Sequence, residues 1–225
     1  MSQELTLYSY WRSSSSWRVR LALHHKGVDF TTVPVHLVRD GGEQHKDAHV
    51  ARNPLRQIPT LEVQGKEGKR AYISQSVAIM EWLEEAYPDA PSIFPSADPL
   101  QKALTRQLTE IINSGTQPLQ NLNVIQYLRD DVGVDAKAFC RRYIQKGLEA
   151  YLATLPDVSG PFSMGEHVSM ADFCLVPQLY NARRFKLDLE PFARLLAIES
   201  ACQEVEAFKK AHPDAQPDFD ANAPA

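Results

Sequence analysis

The spacing of apolar residues changes period several times in the first ninety positions. "LTLYSY" (5–10) is rich in strand formers. Residues 14–26 carry Trp17, Leu21 and Ala22, with Val19 and Leu23 nearby, which is the spacing of an amphipathic helix. Gly27 follows as its C-terminal cap, with His24, His25 and Lys26 in the last turn, where positive charge suits the helix dipole. "DFTTVPVHL" (29–37) reads as a second strand, and its Pro34 marks an edge position or an early stop. Residues 38–48 are polar and include Gly41 and Gly42, the composition of a mobile loop. A short helix is expected over 46–52, stopping before Asn53-Pro54. "IPTLEV" (58–63) and "AYI" (71–73) read as strands joined by a turn at "GKEGK" (65–69). "QSVAIMEWLEEAYP" (75–88) predicts a helix that buries Val77, Met80, Leu83 and Tyr87.

Residues 88–99 hold four prolines, a composition break that places a linker over 88–98. The chain is thus expected to divide into an α/β domain over 1–87 and an all-helical bundle domain over 99–225. Past the linker strand signals vanish, and helices are predicted over 99–126, 135–155, 170–182 and near 194–211. "VSMADF" (168–173) is a helix start, with Ser169 as N-cap, Asp172 three residues on, and Val168 and Phe173 as a hydrophobic staple. The tail "QPDFDANAPA" (216–225) is expected to fray.

The net charge of −4 argues against a general nucleic-acid binder, which needs a basic surface. No apolar stretch is long enough to span a membrane, and the N-terminus lacks the basic-then-apolar order of a signal peptide. A cytoplasmic location is expected. The three cysteines, Cys140, Cys174 and Cys202, are far apart and form no C-x-x-C. That suits reduced thiols in a reducing compartment. No metal site is expected, since His24 and His25 are merely adjacent and His45 and His49 lack a third ligand nearby.

The β-α-β-α-β-β-α order of the first domain is that of a thioredoxin-like fold. Redox members of that class hold C-x-x-C at the first strand-to-helix turn; here Ser13, Ser14, Ser15 and Ser16 stand there. Any sulfur chemistry at this turn needs a sulfur carried by a ligand. Amides at a helix N-terminus lack intrahelical partners and carry partial positive charge, and together with serine hydroxyls they lower a thiol's pKa. Arg12 and Arg18 add positive charge if they face the site. The alternative is that the serines only cap the helix. The Ile58-Pro59 bond matches the cis-proline position of such folds, against an ordinary trans proline at a strand start. Gln75 and Ser76 begin another helix, which suits a ligand carboxylate, against a plain cap.

The run "SSSSWRVRLA" (13–22) resembles the S-S-C-[SA]-x-R-V-R-I-A pattern of zeta-class cytosolic glutathione transferases, a class that includes the maleylacetoacetate and maleylpyruvate isomerases. "QIPTL", "QSVAIMEWLEE", "PLQNL" and "MADFCLVPQLYNARRFKLDL" are similar to that class too, and the likeness runs through "QPD" near the C-terminus. Ser15 stands where the class usually has cysteine. The resemblance implies glutathione as the sulfur carrier. Ser14 would be the main donor to its thiolate, with Ser13 and Ser15 beside it and Arg12 near the substrate. The backbone of Ile58 before Pro59 would hold its cysteinyl part, and Gln75 and Ser76 its γ-glutamyl end. Gln117, Gln120 and Asn121 would line the second pocket, and Arg184 would bind a substrate carboxylate, with Arg183 as its competitor.

The same resemblance implies cis-trans isomerisation of maleylacetoacetate to fumarylacetoacetate, a step of tyrosine and phenylalanine breakdown, by reversible thiolate addition. The rivals are maleylpyruvate isomerisation, glutathione transfer to α-haloacids, and non-catalytic glutathione binding. Histidine in place of Gln117 is the tendency of the maleylpyruvate enzymes, which tilts the reading to maleylacetoacetate. The expected partners are a small unsaturated diacid and a second copy of the chain, with the Gly41-Gly42 loop closing over the site.

Overall fold

The computed structural model describes residues 4–65 and 68–221. The chain falls into two compact units. One runs to Ile93 and takes in the residues from Glu206 onward; the other is Phe94–Val205.

The first unit is built on a four-stranded sheet. Its elements are β1 (Glu4–Ser9), α1 (Ser14–Lys26), β2 (Thr31–Pro34), α2 (Asp47–Val50), β3 (Thr60–Gln64), β4 (Arg70–Ser74) and α3 (Ser76–Ala86). The strand order is β2-β1-β3-β4. β1 and β2 are parallel, with Thr6 opposite Thr31 and Ser9 opposite Pro34, and α1 makes the crossover between them. β1–β3 and β3–β4 are antiparallel. This is the thioredoxin-like order the sequence predicts, and Pro34 ends an edge strand, where its missing N–H costs no ladder bond. Leu5, Leu7, Leu61 and Val63 of the sheet are buried, as are Val19, Leu21 and Leu23 of α1. Helices α1 and α3 pack on each other.

Several expectations change in detail. α1 is not one-sided: Arg18 and Arg20 are as buried as the leucines, because the helix has neighbours on most of its sides. α3 buries Ser76, Ile79, Met80 and Leu83; Val77 and Tyr87 are only half-buried. The Gly41-Gly42 segment is not a bare loop. It forms short 3-10 turns at Arg39–Gly41 and Glu43–His45, tied by His36 N–H to Glu43 Oε2 (2.8 Å) and by the buried Gln44 amide to the Leu37 carbonyl (3.2 Å). The turn predicted at 65–69 lies partly outside the described residues.

The segment after α3 carries no helix or strand before Pro99, and the unit boundary falls inside it. Its first half is fastened to the first unit. Lys26 Nζ donates to Glu84 Oε2 (2.8 Å) and to the Pro91 carbonyl (3.1 Å), and Glu84 also accepts from the Ser92 hydroxyl and from Ile93 N–H (3.1 Å).

The second unit contains α4 (Pro99–Asn113), α5 (Leu122–Tyr127), α6 (Ala136–Thr154), α7 (Met170–Arg184) and α8 (Ala193–Gln203). The single helix expected over 99–126 breaks after Asn113. Thr116 turns its hydroxyl onto the Ile111 carbonyl (2.7 Å), and a 3-10 turn at Gln117–Gln120 follows. Thr116 lies so close to Gly147 that a Cβ there would meet its Oγ1 at 2.0 Å, so α6 carries glycine at this approach. α7 begins with the expected capping box between Ser169 and Asp172, and Val168 and Phe173 are both buried. Among the described residues no helix is long and apolar enough to cross a membrane.

The C-terminal residues depart from the expected division. Helix α9 (Glu206–Ala211), expected as part of the last helix of a domain over 99–225, belongs to the first unit and packs on α1. The cause is burial: Ala207, Phe208 and Ala211 are all buried. Nor does the tail fray at 216–220, where hydrogen bonds and ring contacts to residues near Trp11 hold it; residues 222–225 lie outside the described residues.

Candidate active site

The four serines do different work. Ser13 is the N-cap of α1, and its Oγ accepts from Ser16 N–H (3.2 Å) while its own N–H donates to the Tyr10 carbonyl (3.0 Å). Ser14 is buried at the first helical position, and its hydroxyl has no protein hydrogen-bond partner among the described residues. Ser15 is half-buried, and its hydroxyl is likewise not engaged by the protein. Ser16 is fully buried. One serine therefore suffices for the cap, and Ser14 and Ser15 stand beside the helix amides that lack intrahelical acceptors. Such a corner is a donor set for an anion.

The turn is held from behind by Arg20. Its Nη1 donates to Ser9 Oγ (3.0 Å) and the Tyr10 carbonyl (3.4 Å), and its Nη2 to the Trp11 carbonyl (3.0 Å). Burial lowers this guanidinium to about 9. Arg18 is buried and donates to Ser76 Oγ (3.2 Å), so it ties the start of α3 to α1. Arg12 lies half-buried with its guanidinium 5.3 Å from the Trp11 ring centre.

The Ile58-Pro59 bond is cis, as expected. The residues before it are pinned from the side: the Gln57 carbonyl accepts from His49 Nε2 (2.9 Å) and from Asn53 Nδ2 (2.8 Å), and Asn53 Nδ2 also reaches Thr60 Oγ1 (3.3 Å). Burial lowers the His49 pKa, which keeps the ring neutral with its proton on Nε2. Gln75, immediately before α3, has φ 74°, a left-handed conformation that non-glycine residues adopt at a cost. Such strain clusters at functional positions. Its side chain is exposed and caps nothing, while Ser76 is buried.

In the second unit, Gln117 opens the 3-10 turn and is half-buried. Gln120 is buried and gives its amide hydrogen to Gln178 Oε1 of α7 (2.5 Å). Asn121 caps α5 through Asn123 N–H (3.2 Å). Arg183 pairs through its two terminal guanidinium nitrogens with Glu199 of α8, one contact at 2.7 Å. Arg184 donates to Asn181 Oδ1 (3.3 Å). The commitment of Arg183 to Glu199 favours Arg184 in the choice the sequence left open.

No thiol of the chain suits sulfur chemistry. All three cysteines are buried. Burial pushes the Cys140 thiol up to about 11 and the Cys202 thiol higher still. Among the described residues no group of three or more His, Cys, Asp or Glu side chains is placed to hold a metal ion. Sequence reasoning missed Arg20, His49 and Asn53. An arginine between Val19 and Leu21, in an otherwise apolar run, was the available signal for the first.

Residues 12–86 match the family model for the glutathione S-transferase N-terminal domain. The chain is 42% identical over 212 residues to maleylacetoacetate isomerase of Rattus norvegicus, covering 94% of each. It is 41% identical over 220 residues to maleylpyruvate isomerase of Ralstonia sp, covering 95% of this chain and 99% of the relative. It superposes with a TM-score of 0.87 and 47% identity on the crystal structure of maleylacetoacetate isomerase from Anaeromyxobacter dehalogenans 2CP-1 with glutathione bound in the active site, covering 97% of this chain and 99% of that one. With identity of this degree over nearly its whole length, the chain belongs to the zeta class of glutathione transferases, the maleylacetoacetate isomerase family.

Proposed function

We propose that the chain is a glutathione-dependent cis-trans isomerase that converts maleylacetoacetate to fumarylacetoacetate. The observation that carries this is Ser14, a largely buried residue at the start of α1 whose hydroxyl meets no protein partner among the described residues, in a chain whose own thiols are all buried. The residues present fit glutathione: a donor corner at Ser14 and Ser15, the backbone at Ile58-Pro59, and the strained Gln75 with Ser76 at the start of α3. Glutathione, when bound, supplies a thiolate that adds to one carbon of the cis double bond, permits rotation, and leaves unchanged. Ser14, with Ser13 and Ser15 beside it, donates hydrogen bonds that hold the sulfur ionised. The resemblance to the class assigns carboxylate binding to Arg12 and to Arg184, each of which offers a planar fork. Amides at Ser14 and Ser15 face the negative charge that develops on the substrate oxygen. Gln117 lines the pocket for the rest of the substrate.

The test is the ultraviolet absorbance of maleylacetone, a stable stand-in substrate, with protein and substoichiometric glutathione. Full conversion with the thiol titre unchanged is the expected result. Thiol lost in step with substrate would instead make the chain a conjugating transferase, and binding without turnover would leave a glutathione carrier. Maleylpyruvate is the second reading, favoured by the Ralstonia relative, whose name is maleylpyruvate isomerase. Comparing kcat/KM for the two diacids decides between them. We also place the chain in the cytoplasm as a homodimer; light scattering on the purified protein checks the dimer.

A further inference from the structure

The C-terminal segment reaches the thiolate turn from more than two hundred residues away. Asp218 Oδ2 accepts from Trp11 N–H at 2.9 Å. The Phe219 ring meets the Trp11 ring edge-on, with centroids 5.1 Å apart. The segment that bears them is held in place. Ala211 takes the Arg20 Nε–H on its carbonyl (3.2 Å), the His212 ring packs edge-on against Trp17 (5.3 Å), and the Gln216 amide donates back to the Lys210 and His212 carbonyls (3.0 and 2.9 Å).

Trp11 is the hub of the turn. Its carbonyl is held by Arg20, its N–H by Asp218, and its ring by Phe219 on one side, with Tyr10 (5.8 Å) and the Arg12 guanidinium (5.3 Å) also against it. Arg12, Ser13 and Ser14 follow directly, and Ser13 N–H returns to the Tyr10 carbonyl. A shift of the Trp11 peptide therefore moves both the candidate carboxylate grip and the candidate thiolate donor. Arg20 and Asp218 are the charges that face the Trp11 peptide, Arg20 from α1 and Asp218 from the tail, with Arg12 over the ring.

We propose that Asp218 and Phe219 are positioning residues of the active site, setting through Trp11 where Arg12 and Ser14 stand. The role rests on the glutathione-dependent reading of the site. Neither residue is assigned to the reacting atoms; each acts through Trp11 on Arg12 and Ser14.

The experiment compares the full-length wild-type chain with Asp218→Ala, Asp218→Asn and Phe219→Leu. The thiolate absorbance of bound glutathione is titrated against pH without second substrate, and kcat and KM are then measured with maleylacetone. For Asp218→Ala the bound thiol's pKa is expected to rise by about one pH unit. Its kcat should fall about tenfold, while glutathione affinity stays within about threefold. Asp218→Asn keeps an acceptor for Trp11 N–H and should recover most of kcat, which a loss of fold would not predict. Phe219→Leu keeps apolar bulk but loses the ring edge, and should raise the substrate KM through Arg12 with little change in melting temperature. Wild-type thiol pKa and kcat in both Asp218→Ala and Phe219→Leu would overturn the proposal, whatever happens to stability. If Asp218→Ala does not fold, Phe219→Leu decides it by the substrate KM, and a wild-type KM overturns the proposal. A wild-type chain that fails to lower the glutathione pKa overturns the underlying reading and this one with it. A wild-type chain that lowers it but does not isomerise sinks the isomerase reading alone, and the thiol titration still tests Asp218.

Discussion

Ser13 and Ser14 are neighbours with the same side chain, yet the fold gives them separate tasks. The Ser13 oxygen is occupied by Ser16 N–H, so its loss removes a helix cap. Ser13→Ala is expected to cost about 1 kcal/mol of stability, with a modest loss of turnover. Ser14 caps nothing, so Ser14→Ala should leave stability within about 0.5 kcal/mol of wild type. Its kcat/KM should fall by about 10²-fold, since the donor to the thiolate is gone, and the bound glutathione thiol should titrate at higher pH. Urea denaturation and a thiol titration on both variants check the contrast. A Ser14→Ala protein that ionises glutathione as well as wild type would remove Ser14 from the mechanism. The sequence shows four equivalent serines; which one caps depends on where the helix begins, and that is set by the grip of Arg20 and Tyr10 on the preceding turn.

At the level of elements, the contact between α1 and α3 has a charged component as well as an apolar one. Lys26 is buried to its ammonium, and Glu84 on α3 is its counter-charge. Burial pushes the Glu84 carboxyl up, but Lys26, the Ser92 hydroxyl and Ile93 N–H outweigh it and hold the pKa below the ordinary value. Glu84→Gln leaves the Lys26 ammonium buried without its partner, and should cost about 3 kcal/mol. Lys26→Met added to it should restore part of that loss, as denaturation followed by tryptophan fluorescence would show. Equal stability of Glu84→Gln and wild type would mean that the pair is not felt. What the sequence revealed about elements follows the same division. Caps are local signals, and the end of α1 at Gly27 and the box at Ser169 and Asp172 were readable. The buried face of α3 was misjudged because Ser76 turns inward to meet Arg18, a polar inward residue that no apolar pattern reveals. The break after Asn113 was missed because Thr116 meets Gly147, thirty-one positions away along the chain. The tail was read as frayed because its anchor, Trp11, lies at the other end of the chain.

The whole molecule carries its acid-sensitive groups unevenly. His24, His25 and His49 all belong to the first unit, and burial holds each below its ordinary pKa of 6.5. Glu84 in the same unit is held below 4.5. A depressed pKa means that the unfolded chain binds protons first, so the stability these groups support is present above their unfolded pKa and lost as pH falls through the folded one. The first unit therefore weakens from about pH 6.5 downward, and again below the carboxylate range. The second unit has the opposite bias at its centre. Asp172 is completely buried, and burial outweighs the hydrogen bonds from Ser163 and Ser169 to raise its pKa above 3.8. Its folded form binds the proton more readily than the unfolded chain, so acid relieves a cost there. All three tryptophans, Trp11, Trp17 and Trp82, lie in the first unit, whereas most of the long helices lie in the second. Tryptophan fluorescence thus reports one unit, and far-ultraviolet circular dichroism is weighted to the other. On acidification from pH 7 the fluorescence transition should come first, and the helical signal should persist to lower pH. Coincident transitions would show that the two units unfold as one despite their different acid sensitivities. An early fluorescence transition would also place the loss of glutathione binding at mild acid, because Ser14, Pro59 and Gln75 belong to the unit that fails first.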